Sequence, residues 1–182
     1  MTPFDTPLDT AAPCDRLQGL APVFDAETRL IVLGSFPSVA SLQAQRYYAH
    51  PQNHFWKLLG ALWGLPMTDM PYPERIDVLR AHGLGVWDVY AACEREGSLD
   101  SAIRNAQLND LPGLRARCPR LEAVAHNGGE SFRHARHTRA LGLPVYRLPS
   151  SSPANASWSF ARKLAAWREV FARHDLCAPE AC

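Results

Sequence analysis

The side chains able to hold or cut a ligand fall in four short stretches of this 182-residue chain. "GSFPS", Gly34 to Ser38, frames a turn with a glycine and a proline, and glycine lets a ligand approach the backbone closely. "YYAHPQN", Tyr47 to Asn53, crowds two tyrosines, a histidine, a proline, a glutamine and an asparagine before an apolar helical run. "HNGG", His126 to Gly129, offers the Asn127 amide, which both donates and accepts hydrogen bonds. "LPSSSPANAS" stacks Ser150, Ser151 and Ser152 ahead of a helix, where free N–H groups attract phosphate. Asp88 and Asp100 are the carboxylates best placed for proton work.

Each stretch also has a purely structural reading. Ser38 can cap a helix after a tight turn, Asn-Gly is a strong turn signal, and Asn155 or Ser157 can cap the last helix. His126 reads as a core or strand-end histidine, and Ser98 or Asp100 as a cap. In "SFRHARHTRA", Arg133, His134 and His137 share one side of a helix, which suits a phosphate or simply water; two histidines without a third ligand do not make a metal site. There is no Walker loop, no G-x-S-x-G and no Ser/His/Asp set. The inventory is one of amides, hydroxyls and aromatic rings, which suits a planar, hydrogen-bonding ligand such as a nucleobase.

Four apolar runs must carry these groups: "RLIVLGS", "GLGVWDVY", "RLEAVAHNGG" and "LPVYRLPSSS". Each is short and apolar enough to be covered on both faces, as strands of a parallel sheet are. Helical patterns lie between them over 51–63, 74–82, 99–106, 110–117 and 130–141, with a last helix over 158–174 whose stripe is Phe160, Leu164, Trp167 and Phe171. Alternating strands and helices define an α/β fold, and in such sheets ligands bind beyond the carboxyl ends of the strands. Three of the stretches sit at those ends, Asp88-Val89-Tyr90 forms the fourth, and "YYAHPQN" follows the first and would form one wall.

The chain is long enough for one core. Residues 1–20, with three prolines and little apolar periodicity, read as a poorly ordered arm, and 21–182 as one domain. Composition is globular, 47% hydrophobic and 20% charged, and the net charge of +1 excludes a globally basic nucleic-acid binder while leaving room for a local basic groove. Five cysteines without C-x-x-C spacing argue against a zinc site, a cluster or a disulfide framework, and for a reduced, cytoplasmic setting. No run suits a membrane span or a targeting signal.

Five segments taken in order, "LIVLGSFPS", "YYAHPQNHFWKLL", "GVWDVY…CEREGSLDSAI", "AHNGG" and "LPSSSPANAS", resemble the motifs of the uracil-DNA glycosylase superfamily, most closely its hypoxanthine-DNA (deoxyinosine) glycosylase branch. The resemblance covers about Leu30 to Phe171. It implies a three-layer α/β/α sandwich around a short, mostly parallel sheet. It also implies a monofunctional enzyme of base-excision repair that flips a deaminated base from double-stranded DNA and hydrolyses its N-glycosidic bond. Neither metal nor cofactor is expected, and a monomer is.

On this resemblance Gly34, Ser35 and Phe36 line the base, Tyr48 stacks on it and Asn127 reads its edge. Ser38, Ser150, Ser151, Ser152, Ala154 and Asn155 meet the DNA. Phe36 stands where many members carry a water-orienting Asp or Asn, and Leu148 where uracil enzymes carry a catalytic His. The similar branch lacks that first polar group too, and its proposed catalytic asparagine corresponds to Asn53. The alternatives are a uracil or mismatch-specific glycosylase, a catalytically inactive lesion binder, and a small-molecule hydrolase on the same sheet.

Overall fold

The run Leu30–Gly34 is wholly withdrawn from solvent, which requires cover on both of its faces. The computed structural model describes residues 16–177. In chain order its elements are β1 (Leu17–Gln18), β2 (Leu30–Gly34), α1 (Val39–Ala44), α2 (Phe55–Trp63), α3 (Tyr72–Ala81), β3 (Leu84–Asp88), β4 (Tyr90–Glu94) and a 3-10 turn at Asp100–Ala102. Then come β5 (Arg104–Leu108), α4 (Leu114–Arg117), β6 (Ala123–Asn127), α5 (Gly129–Phe132), α6 (Ala135–Arg139), β7 (Val145–Leu148) and α7 (Phe160–Ala172).

The main sheet has the order β3-β2-β6-β7, and every neighbouring pair is parallel. Side chains alternate between its faces. Leu30, Val32, Leu84, Val86, Ala123 and Ala125 point to one side, where they meet Phe55, Leu58, Leu59 and Leu62 of α2 and Trp167 and Phe171 of α7. Ile31, Leu33, Trp87 and Val124 point to the other, against Leu111, Leu114 and Cys118. The sheet therefore lies between two layers, as the α/β/α expectation held. Each Leu or Phe buried this way is worth about 1.5–3 kcal/mol, so α2, with six buried residues, is a firm anchor for the loop that precedes it.

Four expectations need correction. The stretch 99–106 is not a helix: it holds the 3-10 turn and β5, which pairs antiparallel with β4 in a second sheet, β1-β4-β5. Leu99, Ile103 and Ala106 imitate helical spacing, but Leu99 is 59% exposed and β5 is an exposed edge strand, so no buried face enforces the period. "GLGVWDVY" is not one strand: β3 ends at Asp88 and the chain crosses at Val89 into β4. The stretch 110–117 is helical only from Leu114, because Pro112 has no N–H and Asp110 accepts from Gly113 N in a turn. Likewise 130–141 divides into α5 and α6 at His134. Of the arm expected over 1–20, residues 1–15 lie outside the described residues, and Leu17 and Gln18 pair with Cys93 and Ala92.

Candidate active site

A cavity of about 790 Å³ opens beyond the carboxyl ends of β2, β3, β6 and β7, and every site residue expected from the sequence lines it. Their hydrogen bonds separate those that face a ligand from those that hold the walls.

The floor is where β2 and β3 end side by side, Gly34 opposite Asp88. A Cβ at Gly34 would overlap Asp88 Oδ1 and press on the Tyr48 hydroxyl, so only glycine fits. Asp88 is 4% exposed, and its Oδ2 is buried without a hydrogen-bond partner. Burial, then the nearby Asp100 charge, push its carboxyl up to about 7, against a weaker pull from Arg95. Phe36 is buried beside it with the Arg95 guanidinium over its ring, and Arg95 donates to the Pro37 carbonyl. Leu148, at the end of β7, is also buried and apolar. Neither Phe36 nor Leu148 can handle a proton.

One wall is the segment before α2. Tyr48 has φ 53°, an uncommon backbone conformation for a bulky residue and one that clusters at functional sites. Its ring lies flat on Phe55 with centroids 3.8 Å apart, so the core helix fixes the ring at the cavity. Asn53 Oδ1 accepts from Phe55 N at 2.9 Å, steadying the first turn of α2. That bond leaves the second Oδ1 lone pair and Nδ2 for a ligand. The bond to the first turn of α2 and the cavity position coexist in one residue.

The opposite wall is a latch. Asn127 Nδ2 donates to Ser151 Oγ at 2.9 Å and to the Tyr48 hydroxyl at 3.2 Å, while Oδ1 accepts from Ser151 N at 2.9 Å. Both amide hydrogens and one lone pair are thus used within the protein. Ser151 is fully buried, and its carbonyl accepts from His54 N at 2.9 Å. Of the residues expected to meet DNA, Ser151 is inside. Gly128, at φ 103°, brings the strand end against Ser150, whose Cβ lies 3.0 Å from where a Gly128 Cβ would be.

The serine loop is braced from within. Ser150 Oγ accepts from Ser152 N, Ser152 Oγ from Ala154 N, and Asn155 Nδ2 donates to Ser150 O. The cap of α7 is Ser159, which accepts from Arg162 N; neither Asn155 nor Ser157 takes that role. Lys163 is 1% exposed and donates to Ser152 O at 3.4 Å, with burial holding its pKa below the ordinary value. The sequence offered a signal for it: Lys163 sits three residues after Phe160 and four before Trp167, on the buried stripe of α7.

Around the mouth, Ser38 caps α1, accepting from Ser41 N at 3.2 Å. Ser98 Oγ accepts from Val39 N at 3.0 Å, and Asp100 accepts from the Ser35 hydroxyl. These bonds fix the loop on both sides of exposed Leu99. Trp158, with the Arg162 guanidinium 3.9 Å from its ring centroid, and Arg147 complete the rim. Some groups lie elsewhere. His126 is buried between Ser131 Oγ and Thr138 Oγ1 at 2.8 and 2.9 Å, and burial pushes it down to about 4. His134 bonds the Tyr90 hydroxyl and Arg133 pairs with Glu130; both border a separate opening of about 450 Å³. Among the described residues no group of three or more His, Cys, Asp or Glu is arranged to hold a metal, and no helix is long and apolar enough to cross a membrane.

A parallel sheet between two layers, with a cavity of amides, hydroxyls and aromatics at its strand ends, defines an α/β protein built to hold a planar polar ligand. A solved structure agrees: the solution NMR structure of a Methanosarcina acetivorans protein, described as a candidate uracil DNA glycosylase, superposes with a TM-score of 0.80. It is 36% identical and covers 88% of this chain and 99% of that one. The profile of the uracil DNA glycosylase superfamily matches residues 21–171. The chain belongs to the uracil DNA glycosylase superfamily, whose members are hydrolases acting on N-glycosyl bonds. Among its relatives, a protein of Methanosarcina acetivorans named hypoxanthine DNA glycosylase is 38% identical over 157 residues, covering 86% of this chain and 98% of that protein. One of the same name from Methanosarcina barkeri is 37% identical over 156 residues, with the same coverage.

Proposed function

We propose that this protein removes deaminated bases from double-stranded DNA, with hypoxanthine as its preferred base, by hydrolysing the N-glycosidic bond. The observation that carries this reading is the cavity at the strand ends, where the Gly34 floor, the Asn53 wall and the serine loop surround a volume suited to one nucleoside. Small-ligand sites run from roughly 300 to 1,000 Å³. The two relatives' names point to the same base. Flipping costs a few kcal/mol and least at a mispaired base, which favours damaged sites.

Cleavage passes through an oxocarbenium-like sugar. Asn53, with Oδ1 pinned by Phe55 N, presents a fixed amide that orients water or the cationic sugar without exchanging a proton. Tyr48 gives the base a stacking face. Phe36 seals the floor, and Asn127 holds the wall while keeping one lone pair for the base edge. Ser38, Ser150, Ser152, Ala154 and Asn155 line the side on which the phosphates run, with Arg147 and Arg162 supplying the local positive charge that the net charge conceals. We read 21–182 as the single catalytic domain, working as a monomer in the cytoplasm without metal or cofactor.

The test uses duplexes carrying one hypoxanthine, uracil or xanthine, followed by alkali to cut abasic sites. Strand cleavage fastest at hypoxanthine is the expected result. No alkali-labile product from any of the three overturns the reading. Bound but uncut duplex would identify a lesion binder instead, and the lack of any salt-dependent affinity for DNA would argue for a small-molecule substrate.

A further inference from the structure

The most unusual group in the cavity is the Asp88 carboxyl. It stands at the end of β3, where the chain leaves the main sheet for the second one, and lines the cavity floor. It is 4% exposed. One oxygen lies against the backbone of Gly34, and the other is buried with no partner. A carboxylate left this way is costly, whereas a neutral carboxylic acid is far cheaper and carries an O–H to donate. The fold accepts the cost in sequence terms as well, since Gly34 must lack a side chain to admit it.

We propose that Asp88, on the glycosylase reading above, is the acid of the reaction: in its neutral form it donates to the leaving purine. As the C1′–N9 bond breaks, its electron pair moves into the purine. The Asp88 proton passes to an acceptor on the N7/O6 edge of that base. Water adds its oxygen to C1′ and releases a proton to solvent, and solvent returns a proton to Asp88. The base leaves neutral and nothing is oxidised or reduced. This supplies what Phe36 and Leu148 cannot, a group that answers the negative charge developing on the base.

The groups that face Asp88 suit the role. Asp100, from the loop after β4, adds a like charge and favours the neutral form. Arg95, on that same loop, opposes this, but it lies over Phe36 and bonds the Pro37 carbonyl, and no ion pair among the described residues reaches Asp88. Tyr47 and Tyr48, from the segment before α2, stay protonated because burial raises both phenols. Asp88 itself titrates at about 7, which is where a general acid for neutral pH belongs.

The experiment is single-turnover release of hypoxanthine from duplex DNA between pH 5.5 and 9. The wild type is expected to fall about tenfold per pH unit above the Asp88 pKa. Asp88→Asn keeps the shape and is expected to be at least ~10-fold slower at pH 6 and flat across the range. Asp100→Asn keeps an acceptor for Ser35 but removes the like charge, so its falling limb moves to lower pH. Asp88→Asn with the wild-type limb, a rate that rises through pH 7 as for a base, or no shift in Asp100→Asn overturns the assignment. Should Asp88→Asn not fold, the Asp100→Asn shift decides alone. A wild type that releases no base at any pH refutes the glycosylase reading instead, so the two failures are separate.

Discussion

Replacing Asn127 by alanine separates a latch from a base reader. The side chain makes three hydrogen bonds, to Ser151 N, Ser151 Oγ and the Tyr48 hydroxyl. Ser151 has no solvent exposure, so its N–H loses its partner and finds none. A net hydrogen bond is worth about 1 kcal/mol and an orphaned buried donor costs about 1–3 kcal/mol, giving a total near 3 kcal/mol. In a domain of this size each kcal/mol moves the melting temperature by about 2–4 °C, so Asn127→Ala should melt about 6–12 °C below wild type. Ser151→Ala removes one of the three bonds and should lose about a third of that. Because the two residues touch, the double variant should lose less than the sum of the singles. Scanning calorimetry of the four proteins measures this directly. Asn127→Ala melting within about 2 °C of wild type, whatever its activity, would refute the latch.

Other substitutions probe the remaining walls. Asn53→Ala should abolish most base release and also cost about 1 kcal/mol for the lost hydrogen bond from Phe55 N; Asn53→Ser should recover the stability but not the release, and full release by the serine variant would remove the amide from the mechanism. Gly34→Ala should push Asp88 aside and slow release by ~100-fold, the scale of an ångström's misplacement, with duplex cleavage rates as the readout. The pKa of His126, down to about 4 from 6.5, means that the unfolded chain takes the proton first as pH falls. The stability it contributes is complete above about pH 6.5 and drains away toward pH 4, about 2 kcal/mol between pH 7.5 and 5. Urea unfolding at the two pH values, compared between wild type and His126→Gln, isolates this from Asp88, whose raised pKa works in the opposite sense. Equal pH dependence in the two proteins would show that His126 does not titrate as described.

Much of this was legible in the chain, for physical reasons that differ by element. The strands β2, β3 and β6 announce themselves because burial on both faces leaves them apolar up to the polar residues at their carboxyl ends. The helix α2 announces itself because Phe55, Leu58, Leu59 and Leu62 must share one face. The strand β5 does not, because an exposed edge strand owes its place to backbone pairing with β4, which leaves no pattern in the side chains. The caps fared alike: Ser38 follows a turn and reads as a cap, while Ser159 is hidden among several equally suitable serines and asparagines.

The site shows the same division more sharply. Sequence pattern finds residues that belong together but is blind to which atoms are already taken. Asn127 and Ser151 read as ligand groups by type, yet most of their hydrogen-bonding capacity is spent on each other and on Tyr48. Asp88 reads as one carboxylate among several, yet it is the one whose oxygen has no partner. What marks Asp88 is a buried oxygen without a partner in a residue that lines the cavity, and its place depends on the register of Gly34 against Asp88, a long-range fact that no local spacing encodes. On the reading proposed above, the reaction uses two groups, one on a wall of the cavity and one on its floor. The amide of Asn53 is held by Phe55 N of α2, and burial together with the Asp100 charge, outweighing Arg95, favours the neutral acid at the end of β3. If so, the two act on different bonds, one on the water and sugar and the other on the base. Asn53→Ala should then lower release by a similar factor at pH 6 and pH 8, whereas Asp88→Asn should lower it far more at pH 6, and equal pH behaviour of the two variants would deny the separation.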